Sequence, residues 1–196
     1  MTLAELIAEV HILTGRPDLV DEATAAVRKA TLKLHSTDYY YKDLVEKIIG
    51  FTTEGYKQQY DLSINVPEAR TMKYVRHWTP THVGSEKYLD KIEPDAIMDS
   101  YGKEFTNCWY VAGTLLNIKS KELITNLVIG YYKRPNITTN LYSSWIAVEE
   151  PYYIIEEAAL YVCTNIGRND LAAILQRQSA ANIAMLKQNY LDAQAR

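Results

Sequence analysis

Helical periodicity is confined to the two ends of the chain. At the start, Leu3, Leu6, Ile7, Val10 and Leu13 recur at the spacing of one helix face. Thr2 stands where an N-cap belongs, Glu5 completes a capping box, and Gly15 with Pro17 ends the segment. A second helix is predicted from Leu19 to His35, capped by Asp18, with Val20, Ala23, Val27, Ala30 and Leu34 as a thin apolar stripe. The short linker between them predicts an antiparallel hairpin. Near the other end, Pro151 opens a third helix whose stripe is Ile154, Ile155, Ala158, Ala159, Val162 and Ile166, and Gly167 closes it. Asn169 caps a fourth helix running to about Ala193, with Leu171, Ile174, Leu175, Asn182, Met185, Leu186 and Tyr190 on its inner side. Gln178 and Asn182 dilute this stripe, so the last helix is expected to bury less against its own subunit.

Between the ends the helical period fades. Leu44–Ile49, Tyr56–Ile64, Met72–Trp78, Trp109–Val111, Leu115–Ile118 and Leu123–Tyr132 read as strands, with turns at Glu54-Gly55 and Ala112-Gly113. A short helix opened by Pro94 and carrying Ala96, Ile97 and Met98 before Gly102 interrupts them. Neither helix pair covers its own apolar faces. The expected fold is therefore α+β, mainly α: a four-helix bundle made by the N- and C-terminal helix pairs, with an inserted antiparallel β lobe. The expected segments are residues 1–38, 39–135 and 136–196.

Composition removes several classes. A chain of 196 residues that is 47% hydrophobic and 23% charged supports a core without metal or disulfide. Its net charge of −3 lacks the basic excess of a dedicated nucleic-acid binder. No run of about 18 apolar residues is present, so no membrane contact is expected. The first residues, MTLAELIAEV, show neither a basic lead-in nor a cleavage site, so no secretory signal is expected. Cys108 and Cys163 form no C-x-x-C pair and read as buried thiols in a reducing compartment. Tyrosine is abundant, at 16 residues against 2 phenylalanines. Its ring with a polar tip suits half-buried contact surfaces.

No catalytic or cofactor motif is found: there is no G-x-S-x-G, P-loop, H-E-x-x-H or G-x-G-x-x-G. No catalytic residue, cofactor or metal is expected. His77 and His82 flank Trp78 and Pro80, and only Glu86 is near enough in sequence to add a ligand. The acidic pairs Glu149–Glu150 and Glu156–Glu157 could serve a glycosidase, but neighbours on a helix diverge, and Glu156–Glu157 most simply form a solvated flank.

The run from Tyr131-Tyr132 through Pro135, Ser144-Trp145-Ile146, the Pro151-led helix with Ala158-Ala159, Gly167 and the long helix to Asn189-Tyr190 resembles the head-to-tail adaptor (connector) proteins of tailed bacteriophages, of the type found in short-tailed phages. Gly15-Arg16-Pro17, Tyr39-Tyr40-Tyr41-Lys42-Asp43-Leu44, Ile92 to Gly102 and Trp109-Tyr110-Val111-Ala112-Gly113 add to that resemblance. It implies a structural virion protein at the head–tail junction, made in the host cytoplasm. Its partners would be a portal protein, a tail nozzle or other tail protein, and copies of itself in a ring, usually of twelve. Double-stranded DNA would pass transiently through the lumen. Trp145, Tyr152, Tyr153, Leu186 and Tyr190 are the candidates for portal or subunit contact. Glu149, Glu150, Glu156 and Glu157 are the candidates for an acidic lumen, which would repel phosphates. Two other classes stay open. One is a virion-associated cell-wall hydrolase using an acidic pair. The other is a carbohydrate-binding tail module stacking sugars on Trp78, Trp109 and Trp145.

Overall fold

The computed structural model describes residues 1–50, 57–78, 87–94, 107–120 and 126–192. The expected turn at Glu54-Gly55, the helix over Ala96–Gly102, and His82 with Glu86 lie outside these residues. In chain order the described elements are α1 (Leu3–Thr14), α2 (Val20–Ser36), a 3-10 turn (Tyr41–Asp43), β1 (Leu44–Gly50), β2 (Lys57–Asp61), α3 (Leu62–Asn65), β3 (Ala69–Trp78), β4 (Lys87–Tyr88), β5 (Asp90–Lys91), β6 (Cys108–Ala112), β7 (Leu115–Lys119), β8 (Asn126–Lys133), α4 (Trp145–Glu149), α5 (Pro151–Asn165) and α6 (Asn169–Tyr190). They form two compact units, Met1–Asp43 with Arg134–Arg196, and Leu44–Lys133. The segment Tyr39–Asp43 thus belongs with the helices.

In the helical unit, local chemistry sets the boundaries of α1. Thr2 accepts from the Glu5 N–H and the Glu5 carboxylate accepts from the Thr2 N–H, while Gly15 takes the left-handed conformation at φ 64°. Asp18 does not cap α2. It forms an ion pair with Arg16, and that hydrogen bond holds its carboxyl down at about 2. Helix α5 is central, packing against α1, α2, α4 and α6, and α1 packs on α2. Leu6, Val10, Val27, Leu34, Ile154 and Val162 lie in their shared core. Helix α6 packs on α5 and contributes only Leu175, Ser179 and Leu186 as buried residues.

The four-helix bundle with an inserted antiparallel lobe is therefore corrected. The described residues form six helices and two four-stranded sheets, a mixed α+β fold. A closed bundle needs four helices with continuous inner stripes. On α6 only Leu175, Ser179 and Leu186 are buried, and Asn182 bonds Glu156, so its inner stripe is not continuous.

The second unit holds sheets of order β1-β8-β3-β4 and β2-β7-β6-β5. They enclose one core of Ile49, Val75, Trp109, Leu116, Leu127 and Ile129 with their neighbours. The pairing is antiparallel except between β5 and β6, which run parallel. Gly113, at φ 63°, turns the β6–β7 hairpin. The run expected to stay extended from Tyr56 to Ile64 breaks at Asp61, whose carboxylate accepts from the Ser63 N–H at 2.9 Å and starts α3.

Candidate functional site

The candidate surface residues converge where α2 ends and α4 and α5 begin. Ser144 caps α4, accepting from the Ala147 N–H at 3.3 Å. This places Trp145 against His35, Tyr40 and Tyr190, with ring centroids 5.7, 5.8 and 4.8 Å away. Its indole N–H donates to Asp43 Oδ1 at 2.8 Å. Tyr190 in turn meets Tyr41 at 6.1 Å and donates to Glu150 Oε1 at 3.3 Å. Lys42 lies over the rings of Trp145 and Tyr190, at 5.6 and 5.0 Å, and pairs with Glu149. That hydrogen bond raises the Lys42 ammonium above its ordinary value. The Asp192 N–H donates to the Tyr39 carbonyl at 2.8 Å, which ties the end of α6 to the same segment.

Under this aromatic cluster lies a polar chain that the sequence does not reveal. His35 Nδ1 is 2.8 Å from Asp43 Oδ1 and Nε2 is 2.9 Å from Ser144 Oγ. A carboxylate accepts, so Nδ1 donates to Asp43, and Nε2 and the Ser144 hydroxyl share the second hydrogen bond. The order Ser–His–Asp matches a nucleophile, base and orienting acid. All three residues are buried, however, and the Ser144 oxygen is already an acceptor for the α4 backbone. The arrangement clasps α2, the 3-10 turn and α4 together; it offers a substrate no approach to the serine.

The candidates separate by burial. Tyr152 is 68% exposed, while Tyr153 is half-buried with its hydroxyl 3.9 Å from the Met185 sulfur. Val148 and Met185 are also exposed. Leu186 is fully buried in the helical core and presents no surface in the monomer. Among the acids, Glu149 and Glu150 border the aromatic cluster, and Glu156 accepts from the Asn182 side chain at 2.6 Å.

Glu157 is the clear correction. It is fully buried, 2.7 Å from Lys33 Nζ, and accepts from the Ser179 hydroxyl. Burial pushes its carboxyl up, but the bonds from Lys33, Ser179 and Tyr161 outweigh it and hold it below the ordinary range. Burial and the bond to Glu157 raise the Tyr161 phenol to about 12. The expected solvated flank failed because Lys33 stands 124 residues away in sequence. Glu157 is closed off from solvent, which removes one acid of the Glu156–Glu157 pair from the hydrolase reading and from the candidate lumen acids. Trp109 is likewise core, donating to the Leu89 carbonyl at 3.0 Å, so it stacks on no sugar. Cys108 and Cys163 are both buried free thiols.

Sequence reasoning missed Lys42, Asp43 and the His35–Ser144 link, because each partner lies on a different segment and no short motif joins them. No family model matches this chain, and no curated protein matches it.

Proposed function

We propose that this protein is a structural adaptor of a phage virion. It forms a ring between the capsid portal and the tail, seals the filled head, and lines part of the conduit through which DNA leaves. The reading is supported by the likeness of its residue pattern to head-to-tail adaptors. The observation that carries it is the apolar surface of the helical unit, where Tyr41, Val148, Tyr152 and Met185 are exposed beside the Trp145–Tyr190 cluster. Large side chains left in water are ordinary singly, but several together at one end suit a contact face. A ring needs such a face on each protomer, mated to a different face on the next.

The test mixes purified protein with purified portal and images the product by electron microscopy. A ring decorating one end of the portal supports the proposal. Undecorated portals, with the protein remaining monomeric at high concentration, overturn it. Tyr152→Glu is the matched control, expected to abolish decoration without altering the thermal midpoint.

A further inference from the structure

Helix α6 is long and barely buried. Three of its 22 residues, Leu175, Ser179 and Leu186, are hidden from solvent. Ile183 and Tyr190 pack beside Leu186 on the helical core, and Leu171 and Ala172 beside Leu175; the polar part of its hold ends on carboxylates. Ser179 bonds Glu157, Asn182 bonds Glu156, Tyr190 bonds Glu150 and Lys187 pairs with Asp38. Glu157 is the fully buried member. Lys33 faces it from α2, Ser179 from α6 and Tyr161 from its own helix, and Lys29 sits over the Tyr161 ring at 4.1 Å. Asp170 and Arg177 lie on the exposed side of α6. The contacts among α1, α2 and α5 rest on a larger apolar core, to which the Lys33–Glu157 pair adds one ionic link between α2 and α5.

Beneath α6 lies Cys163. It is fully buried in a small cluster with Ala159 and Leu175, against which Leu171 and Ala172 of the same helix pack. Removing α6 uncovers this thiol.

We propose that α6 is a strap whose docking requires the ionised carboxylates of α5, and that protonation at Glu157 releases it as a unit, exposing Cys163 while α1, α2 and α5 stay packed. Protonation removes the charge that opposes Lys33 and places a new O–H among groups that already donate. Charge-assisted bonds are about twice as strong as neutral ones, so their loss is felt most by an element with little apolar burial. The inference stands whether or not the chain is an adaptor.

The native thiols report the event. Labelling by 4,4′-dithiodipyridine is followed by mass spectrometry at pH 7.5 and at pH 3, below the ordinary carboxylate value, because Glu157 is held ionised down to a lower pH than usual. Each cysteine is normalised to its own rate in denatured protein. Cys108, buried in the β unit, is the internal control. The expected result is that normalised Cys163 labelling rises several-fold at pH 3 while Cys108 does not change, with helical circular dichroism retained. Glu157→Gln should bring the same selective rise at pH 7.5, and Ser179→Ala a smaller one should the first variant fold poorly. Cys163 labelling that stays flat across pH and in both variants overturns the proposal. So does a rise of both thiols together, which is global unfolding.

Discussion

A single buried carboxylate illustrates how residue identity acts through its surroundings. Glu157 has a folded-state value below the ordinary 4.5. Its ionised form therefore stabilises the fold above that ordinary value, and the contribution is lost as pH falls through the lower, folded value. Acid titration of stability should show this loss, and Glu157→Gln should flatten it. Lys33→Ala leaves the carboxylate without its cation. We expect a loss of about 2 kcal/mol in urea unfolding, less than for a wholly buried pair because the Lys33 side chain is partly solvated. Gly130 makes a second residue-scale case. The ring of Tyr74 lies across it, and an added Cβ would sit 2.6 Å from both ring Cε atoms. Tyr74 cannot swing away freely, since its hydroxyl donates to Glu46. Gly130→Ala should destabilise by about 1–3 kcal/mol, and Tyr74→Ser in the same chain should recover most of it, a coupling read by a double-mutant cycle.

Elements differ in how far their limits are set locally. The start of α1 was legible because both halves of its capping box lie within three residues. Thr2→Ala should lower the thermal stability of the helical unit by about 1 kcal/mol. The second helix shows the limit of such reasoning. Asp18 has the right chemistry for a cap, but Arg16 competes for its carboxylate at 2.7 Å. Asp61 shows the opposite outcome: its side chain caps α3, so the extended run expected through Leu62 and Ile64 ends at β2. The strand spans Leu44–Ile49, Met72–Trp78 and Leu115–Ile118 fall inside or upon β1, β3 and β7, since short β-rich runs bounded by polar residues carry their own signal.

At the scale of the whole molecule, the β unit begins and ends on paired strands. Leu44 pairs with Tyr132 across β1 and β8, so the two ends of Leu44–Lys133 meet. A fragment of these residues should fold alone, giving dispersed amide resonances and a cooperative melt; a disordered spectrum would contradict that. What the linear order of residues determined was the kind of element along most of the chain, because periodicity, caps and turn residues act over a few positions. It could not determine which faces close on which. Whether α6 completes a bundle or rests on α5, and whether Glu157 meets water or Lys33, depend on groups separated by 22 to 124 positions. Only the folded chain brings those together, since the free energy of burying a charge or an apolar face depends on the partner that arrives, not on the neighbour in sequence.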